Sequence, residues 1–137
     1  MRNSVCQQRR GTAAVELAIF LPVLAFLFVI AVDFGRIFYF SLTVTNCARN
    51  GAMYGGQKPA NALDSAEIVV AAKKDVGTLN VEQLYVTSAV NNTTSPTTLS
   101  VTVAYPFRTI TGYFGIPNLV TLTRTVQVNV APLVPGS

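Results

Sequence analysis

A carboxylate inside an apolar run, five residues past a glycine, is the arrangement in this chain with the clearest chemical consequence. Residues 11–32 read GTAAVELAIFLPVLAFLFVIAV, with Glu16 the one charge among them, and Arg9 and Arg10 stand immediately before Gly11. A carboxylate at the middle of a bilayer costs about 2.5–3.5 kcal/mol on insertion scales. Glu16 lies nearer the end of the run, where the cost is smaller. The positive end of the helix dipole offsets at most about 1–2 kcal/mol of it. Two arrangements can accommodate the charge: the side chain snorkels to the headgroups, or it pairs with a cation brought by a neighbouring chain.

The run itself is long enough to cross a membrane. Ala13 to Val32 is 20 residues, and a helix of that length covers roughly 30 Å, the thickness of a bilayer hydrocarbon core. It is apolar all round, with Pro22 as its single helix breaker, unlike the one-sided stripe of a helix on a soluble core. Arg2, Arg9 and Arg10 precede the run and no acid does, whereas Asp33 opens the far flank. Basic flanks stay cytoplasmic, so the expected topology is single-pass, N-terminus inside. A cleaved secretory signal has a shorter apolar region and a small-x-small site; this run continues into AVDFGRIFYF without one.

The string RRGTAAVELAIFLPVLAFLFVIAVDFGR resembles the TadE-like family of the tight-adherence (Tad, Flp) pilus system, within the wider type IV pilin-like class. A second landmark is Ala48-Arg49-Asn50-Gly51-Ala52, similar to the A-R-x-G-A stretch of that family. The resemblance covers roughly residues 9–53. It implies a basic leader, residues 1–11, cut by a prepilin peptidase between Gly11 and Thr12. Glu16 would then be the fifth residue of the mature chain, able to pair with a neighbour's N-terminal amine during subunit assembly. It also implies a bacterial inner-membrane protein whose C-terminal domain is periplasmic or extracellular, with other pilin subunits and Tad membrane platform proteins as partners. Leu17 stands where major pilins of the system often have tyrosine, and the chain is longer than theirs. Both departures favour a minor pilin or pseudopilin of pilus assembly and surface adhesion. The alternative is an uncleaved membrane-anchored scaffold of a secretion system.

Composition agrees with a structural role. Of ten basic residues, three lie in residues 1–11, which leaves seven against six acids, or +1, for the remainder. The basicity is therefore mostly a topology signal, and no nucleic-acid partner is expected. There is no histidine, and Asp33, Asp64, Glu67, Asp75 and Glu82 are not spaced as metal ligands. No catalytic triad or phosphate loop is legible, so neither an enzyme, a cofactor nor a small-molecule substrate is expected. Cys6 and Cys47 fall on opposite sides of the membrane in this topology, so Cys47 is expected to be a small buried residue rather than half of an intrachain disulfide.

Beyond the membrane helix, 12–32, residues 33–56 are expected to extend it as an amphipathic helix. Phe34, Phe38 and Leu42 recur every four residues and are expected to pack on the domain that follows, with packing against neighbouring subunits as the compatible alternative, while Tyr39 and Phe40 fall where interfacial aromatics are expected. Ala48, Gly51, Ala52 and Gly55 form a small-residue ridge; Gly51-x-x-x-Gly55 could allow close helix approach, but because it lies past the membrane it is read as fraying towards termination at Gly55-Gly56. Residues 57–61 are expected to be a linker and Leu63–Val76 a second helix, capped by Asp64 or Asn61 and stopped by Gly77. Gln83–Val90, Thr98–Tyr105 and Val120–Val130 alternate as strands. Residues 91–97 form the first turn, and 106–118 a longer loop carrying Phe107, Tyr113, Phe114 and Ile116. The expected fold is α+β and pilin-like: a long N-terminal helix running into a small domain, 57–137, with a short helix and a three-stranded antiparallel sheet.

Overall fold

A computed structural model describes the backbone of residues 5–93, 95–110 and 118–132, with side chains from residue 11 onward. The first helix, α1, runs from Val5 to Gly56, 52 residues without a break, through Pro22. At 1.5 Å per residue it is about 78 Å long. It is followed by α2 (Pro59–Leu63), α3 (Ser65–Lys73), a 3-10 turn (Val81–Gln83) and the strands β1 (Tyr85–Asn91), β2 (Thr98–Arg108) and β3 (Leu119–Asn129). The strands form one antiparallel sheet in the order β1-β2-β3. The expected α+β architecture is therefore what this chain adopts.

The sheet packs on the distal half of α1, with α1 against β2 and β3 and α3 filling the angle between α1 and β1. β2 alternates without a fault: Leu99, Val101, Val103, Tyr105 and Phe107 are buried, and the residues between them are half-exposed. That is the period-2 pattern of a central strand with one covered face. On the outer face, the Thr102 and Thr125 hydroxyls lie 2.8 Å apart and Gln127 Nε2 donates to Ser100 Oγ at 3.0 Å. On the inner face of the edge strand β3, Arg124 takes the place of an apolar residue and donates to Ser41 Oγ of α1 at 2.6 Å. An inward charge of this kind also discourages a further strand from pairing at the edge.

Several sequence expectations are corrected. Residues 57–61 are not simply a linker, since Pro59 opens α2 at the position where its missing N–H costs nothing. The second helix begins at Ser65 rather than Leu63, because the Asp64 side chain accepts from Glu67 N at 3.1 Å and caps α3. It ends at Lys73, and Gly77 lies beyond it at φ +58°, a conformation that suits glycine. β2 reaches Arg108, through Pro106. The β1 register ends at Tyr85 opposite Ala104, so Pro106 lies past the end of β1, where an absent N–H leaves no rung unfilled. Phe107 is thus a buried strand residue and not part of a loop; Tyr113, Phe114 and Ile116 lie outside the described residues.

The largest correction concerns which face of α1 is the inner one. Phe34, Phe38 and Leu42 point away from the domain and are exposed. The covered face carries Asp33, Phe40, Val44, Cys47, Ala48, Gly51, Ala52 and Gly55. Its small residues are contact points and not a frayed end. A Cβ added at Gly51 would stand 3.2 Å from Ala72 Cβ and 3.2 Å from a Val101 methyl, and one at Gly55 would collide with Leu99. Cys47 is fully buried, as expected, and its thiol donates to the Asp75 carbonyl at 3.6 Å. Burial, and then the nearby Asp75 charge, raise its pKa above the ordinary thiol value of 9.0, so it stays protonated and out of reach of a disulfide with another chain.

This close approach is testable with two glycines of one helix. Gly55→Ala should destabilise the protein by about 1–3 kcal/mol, because the added methyl overpacks against Leu99 and Ile68. Gly35→Ala meets nothing within 4 Å and should be neutral or stabilising by up to about 1 kcal/mol through helix propensity alone. Thermal unfolding of both variants in detergent, followed by circular dichroism, checks the difference in sign.

Candidate functional site

The residues singled out by their chemistry all lie on α1. Arg9, Arg10, Gly11, Thr12 and Glu16 fall within its first turns, and Glu16 is exposed on the surface of the helix. The side chains of Arg9 and Arg10 are outside those described. Gly11 has open space around its α-carbon. The structure thus presents the expected cut site as helix, not as extended chain. Glycine costs about 1 kcal/mol relative to alanine within a helix, so this is a comparatively easy point at which to unwind it.

From Gly11 the helix is long and apolar enough to cross a membrane, and none of its most apolar 18-residue window is covered by the domain. Val15, Leu17, Ile19, Phe20, Leu24 and Phe28 are all exposed. Such a surface is stable only in lipid or against other helices.

At the far end of this span the helix is tied to the sheet through Asp33, a residue the sequence marked only as a flanking charge. Asp33 is 4% exposed. Its two carboxylate oxygens each lie 3.1 Å from the backbone N–H of Ile110, which follows β2, and Oδ1 also accepts from Arg36 Nη1 at 3.3 Å. The Arg36 guanidinium lies over the Phe107 ring, 5.1 Å from its centroid, and 5.9 Å from that of Phe40. Phe40 in turn meets Phe107 edge-on at 5.2 Å and Tyr105 at 6.0 Å. Phe40 is therefore an inward aromatic holding Arg36, while Tyr39 remains half-exposed. Burial of a carboxylate is tolerated because both a cation and a backbone donor satisfy it. The signal in the sequence was the Asp33-x-x-Arg36 spacing, which places the pair on one helix face. Its partner Ile110 is 77 residues away and could not be read from spacing.

This arrangement has no obvious catalytic use. Among the described residues no group of three or more His, Cys, Asp or Glu side chains could hold a metal ion. A cleft of about 450 Å³ at the opposite end of the domain is lined by Pro59, Leu63, Val90, Pro96, Val130 and Pro132, among others. Among its described lining residues there is no charged side chain.

The Asp33 junction carries its own test. Asp33→Ala should cost about 1–3 kcal/mol by leaving the Ile110 N–H and Arg36 without their acceptor, and Asp33→Asn should cost less, because an amide oxygen can still accept from Ile110. Thermal unfolding of the two variants in detergent measures the order.

Residues 11–53 match the family model TadE, described as TadE-like protein. Neither a curated protein nor a solved structure matches the chain. The matched stretch runs from the glycine of the basic motif, along the exposed span and the Asp33–Arg36 pair, to the small residues on which the sheet closes. TadE-like proteins are structural components of the Tad pilus and not a known family of enzymes, and a single apolar N-terminal helix fits a single-pass inner-membrane protein. Over α1, from Gly11 to Met53, this chain is therefore similar to TadE-like proteins.

Proposed function

We propose that this protein is a minor pilin or pseudopilin, inserted with its N-terminus in the cytoplasm, cut after Gly11 and assembled with other pilin subunits of a Tad-type pilus that serves surface adhesion. The observation that carries the reading is the combination on one helix of the Arg9-Arg10-Gly11 motif, an apolar surface that the domain leaves bare, and Glu16 within that surface. Removal of residues 1–11 would place a free amine on Thr12, one turn from Glu16. An amine of this kind on a neighbouring subunit supplies the cation that a carboxylate in lipid needs. The membrane provides the first partner, the prepilin peptidase the second, and platform proteins and fellow subunits the rest.

The peptidase must open the first turns of α1 to reach the bond. Thr12→Pro should block cutting, since proline distorts the backbone at the scissile bond and lacks the N–H there. Intact-mass measurement of membrane-extracted protein, with and without the peptidase, should show loss of residues 1–11 for the natural chain and retention for the variant. Retention in the natural chain would instead favour the permanently anchored scaffold.

Glu16→Ala separates assembly from anchoring. The variant should insert at least as well, because a carboxylate is removed from an apolar helix, yet fail to enter the filament. Membrane fractionation and a count of surface pili read the two effects; normal piliation would leave Glu16 as a snorkelling side chain with no role in assembly.

A further inference from the structure

The charges that mark the outer end of the membrane span in the sequence do not mark it on the surface of the folded protein. Asp33 and Arg36 turn towards the domain, where Asp33 is 4% exposed and held by Arg36 and the Ile110 N–H. The side of α1 facing away from the domain reads Phe34, Gly35, Phe38 and Leu42, with Phe34 69% and Phe38 66% exposed. The apolar outer surface of the helix therefore runs on past Val32 for more than two turns.

Length points the same way. If Glu16 is held at the cytoplasmic headgroups, a hydrocarbon core of about 30 Å begins near Leu17 and takes about 20 residues of helix. It then ends close to Arg36, with the headgroup layer reaching some residues further. The base of the sheet lies at this level, because Ile110 is joined directly to Asp33. That base is apolar too. Ile110 is 63% exposed, and Leu119, which stands opposite Arg108 in the β2–β3 register, is 54% exposed. Arg108 itself is exposed, and Arg36 is partly so.

We infer that the membrane-proximal end of the folded domain is itself a lipid-contacting surface: Phe34, Phe38, Ile110 and Leu119 enter the outer boundary between acyl chains and headgroups, and Arg36 and Arg108 lie at the level of the phosphates. The occupant of this face is the phospholipid bilayer. Its apolar surface is continuous with the bare span of α1, and the exposed Arg108 complements anionic headgroups. The buried Asp33 keeps a negative charge from facing those phosphates. The domain therefore rests in the membrane surface while the protein is in its membrane-bound state, and leaving the bilayer for a filament requires Phe34, Phe38, Ile110 and Leu119 to find protein neighbours. The inference rests on the span reading of α1, and the experiment separates the two.

The chain contains no tryptophan, so single substitutions give unambiguous reporters in the full-length protein. Phe34→Trp, Phe38→Trp, Ile110→Trp and Leu119→Trp change exposed side chains on α1, just after β2 and on β3. Phe28→Trp reports the span, and Met53→Trp reports the exposed upper helix. Each variant is reconstituted into phosphatidylcholine–phosphatidylglycerol vesicles with and without acyl-chain bromination, at two protein-to-lipid ratios. The expected result is a blue-shifted emission for Phe38→Trp, Ile110→Trp and Leu119→Trp, bromolipid quenching approaching that of Phe28→Trp, and no quenching of Met53→Trp. Water-like, unquenched emission at Phe38, Ile110 and Leu119 with strong quenching at Phe28 would overturn the inference and leave the span intact. Absence of quenching at Phe28 would instead overturn the span. A blue shift at Phe38 that grows with protein-to-lipid ratio and is indifferent to bromination would assign the face to a second copy of this chain and overturn the lipid assignment.

Discussion

One continuous helix has to satisfy two different solvents, and the rest of the structure follows from how it does so. From Ala13 to Val32 α1 presents apolar side chains on all sides, Glu16 excepted, which suits lipid. Along its second half it must keep one face for a small domain that has little mass of its own with which to build a core. The chain meets that demand with small residues. Ala48, Gly51, Ala52 and Gly55 let Leu99, Val101, Ile68 and Ala72 come close to the helix backbone, so dense packing is reached with few large side chains. The bulk of the core is supplied from the other side, by the inward row of β2.

The two halves of the helix meet at Asp33. The carboxylate does at once what a chain of separate contacts would do less firmly. It receives the backbone N–H that follows β2, holds Arg36 over Phe107, and so fixes the sheet against the helix where the span ends. A buried ion pair is a poor source of net stability, but it is directional. The polar network specifies the height at which the domain sits on α1, and apolar contacts between a strand and a helix specify that height less sharply. The same turn of the charges towards the domain leaves aromatic side chains alone on the outer face, which is why the surface boundary and the sequence boundary of the span differ.

The functional reading depends on this division of labour. A helix bare along its apolar half cannot remain so outside lipid, and a component that moves from membrane to filament must exchange lipid for neighbouring helices. Glu16 lies within that bare surface, and on the proposed reading it limits how the exchange is made, since a carboxylate needs a cation or water wherever it goes. The domain above offers no cluster of catalytic or ligating side chains among its described residues. Its task on this reading is to present a folded surface at a fixed distance from the bilayer.

The local and the lipid-facing features are legible in the order of residues alone. A 20-residue run with one charge gives a helix long and apolar enough to cross a membrane, strict alternation gives the strand 98–105, and the family resemblance is carried by residues contiguous in the chain. These are properties of period, length and charge, which act over a few turns. Which face of α1 is the inner one emerges only from the packing of the folded chain. Phe34, Phe38 and Leu42 had the periodicity of a core stripe, but a helix packs closely along its small residues, and the aromatic stripe was left outside. The same holds for the extension of β2 through Pro106, which is tolerable because β1 has already ended, and for Asp33, whose partner at Ile110 arrives from the far end of the sheet. Periodicity reports that a face is apolar; whether lipid, a sheet or another subunit covers it depends on contacts between residues far apart in the chain, and these exist only once the chain has folded.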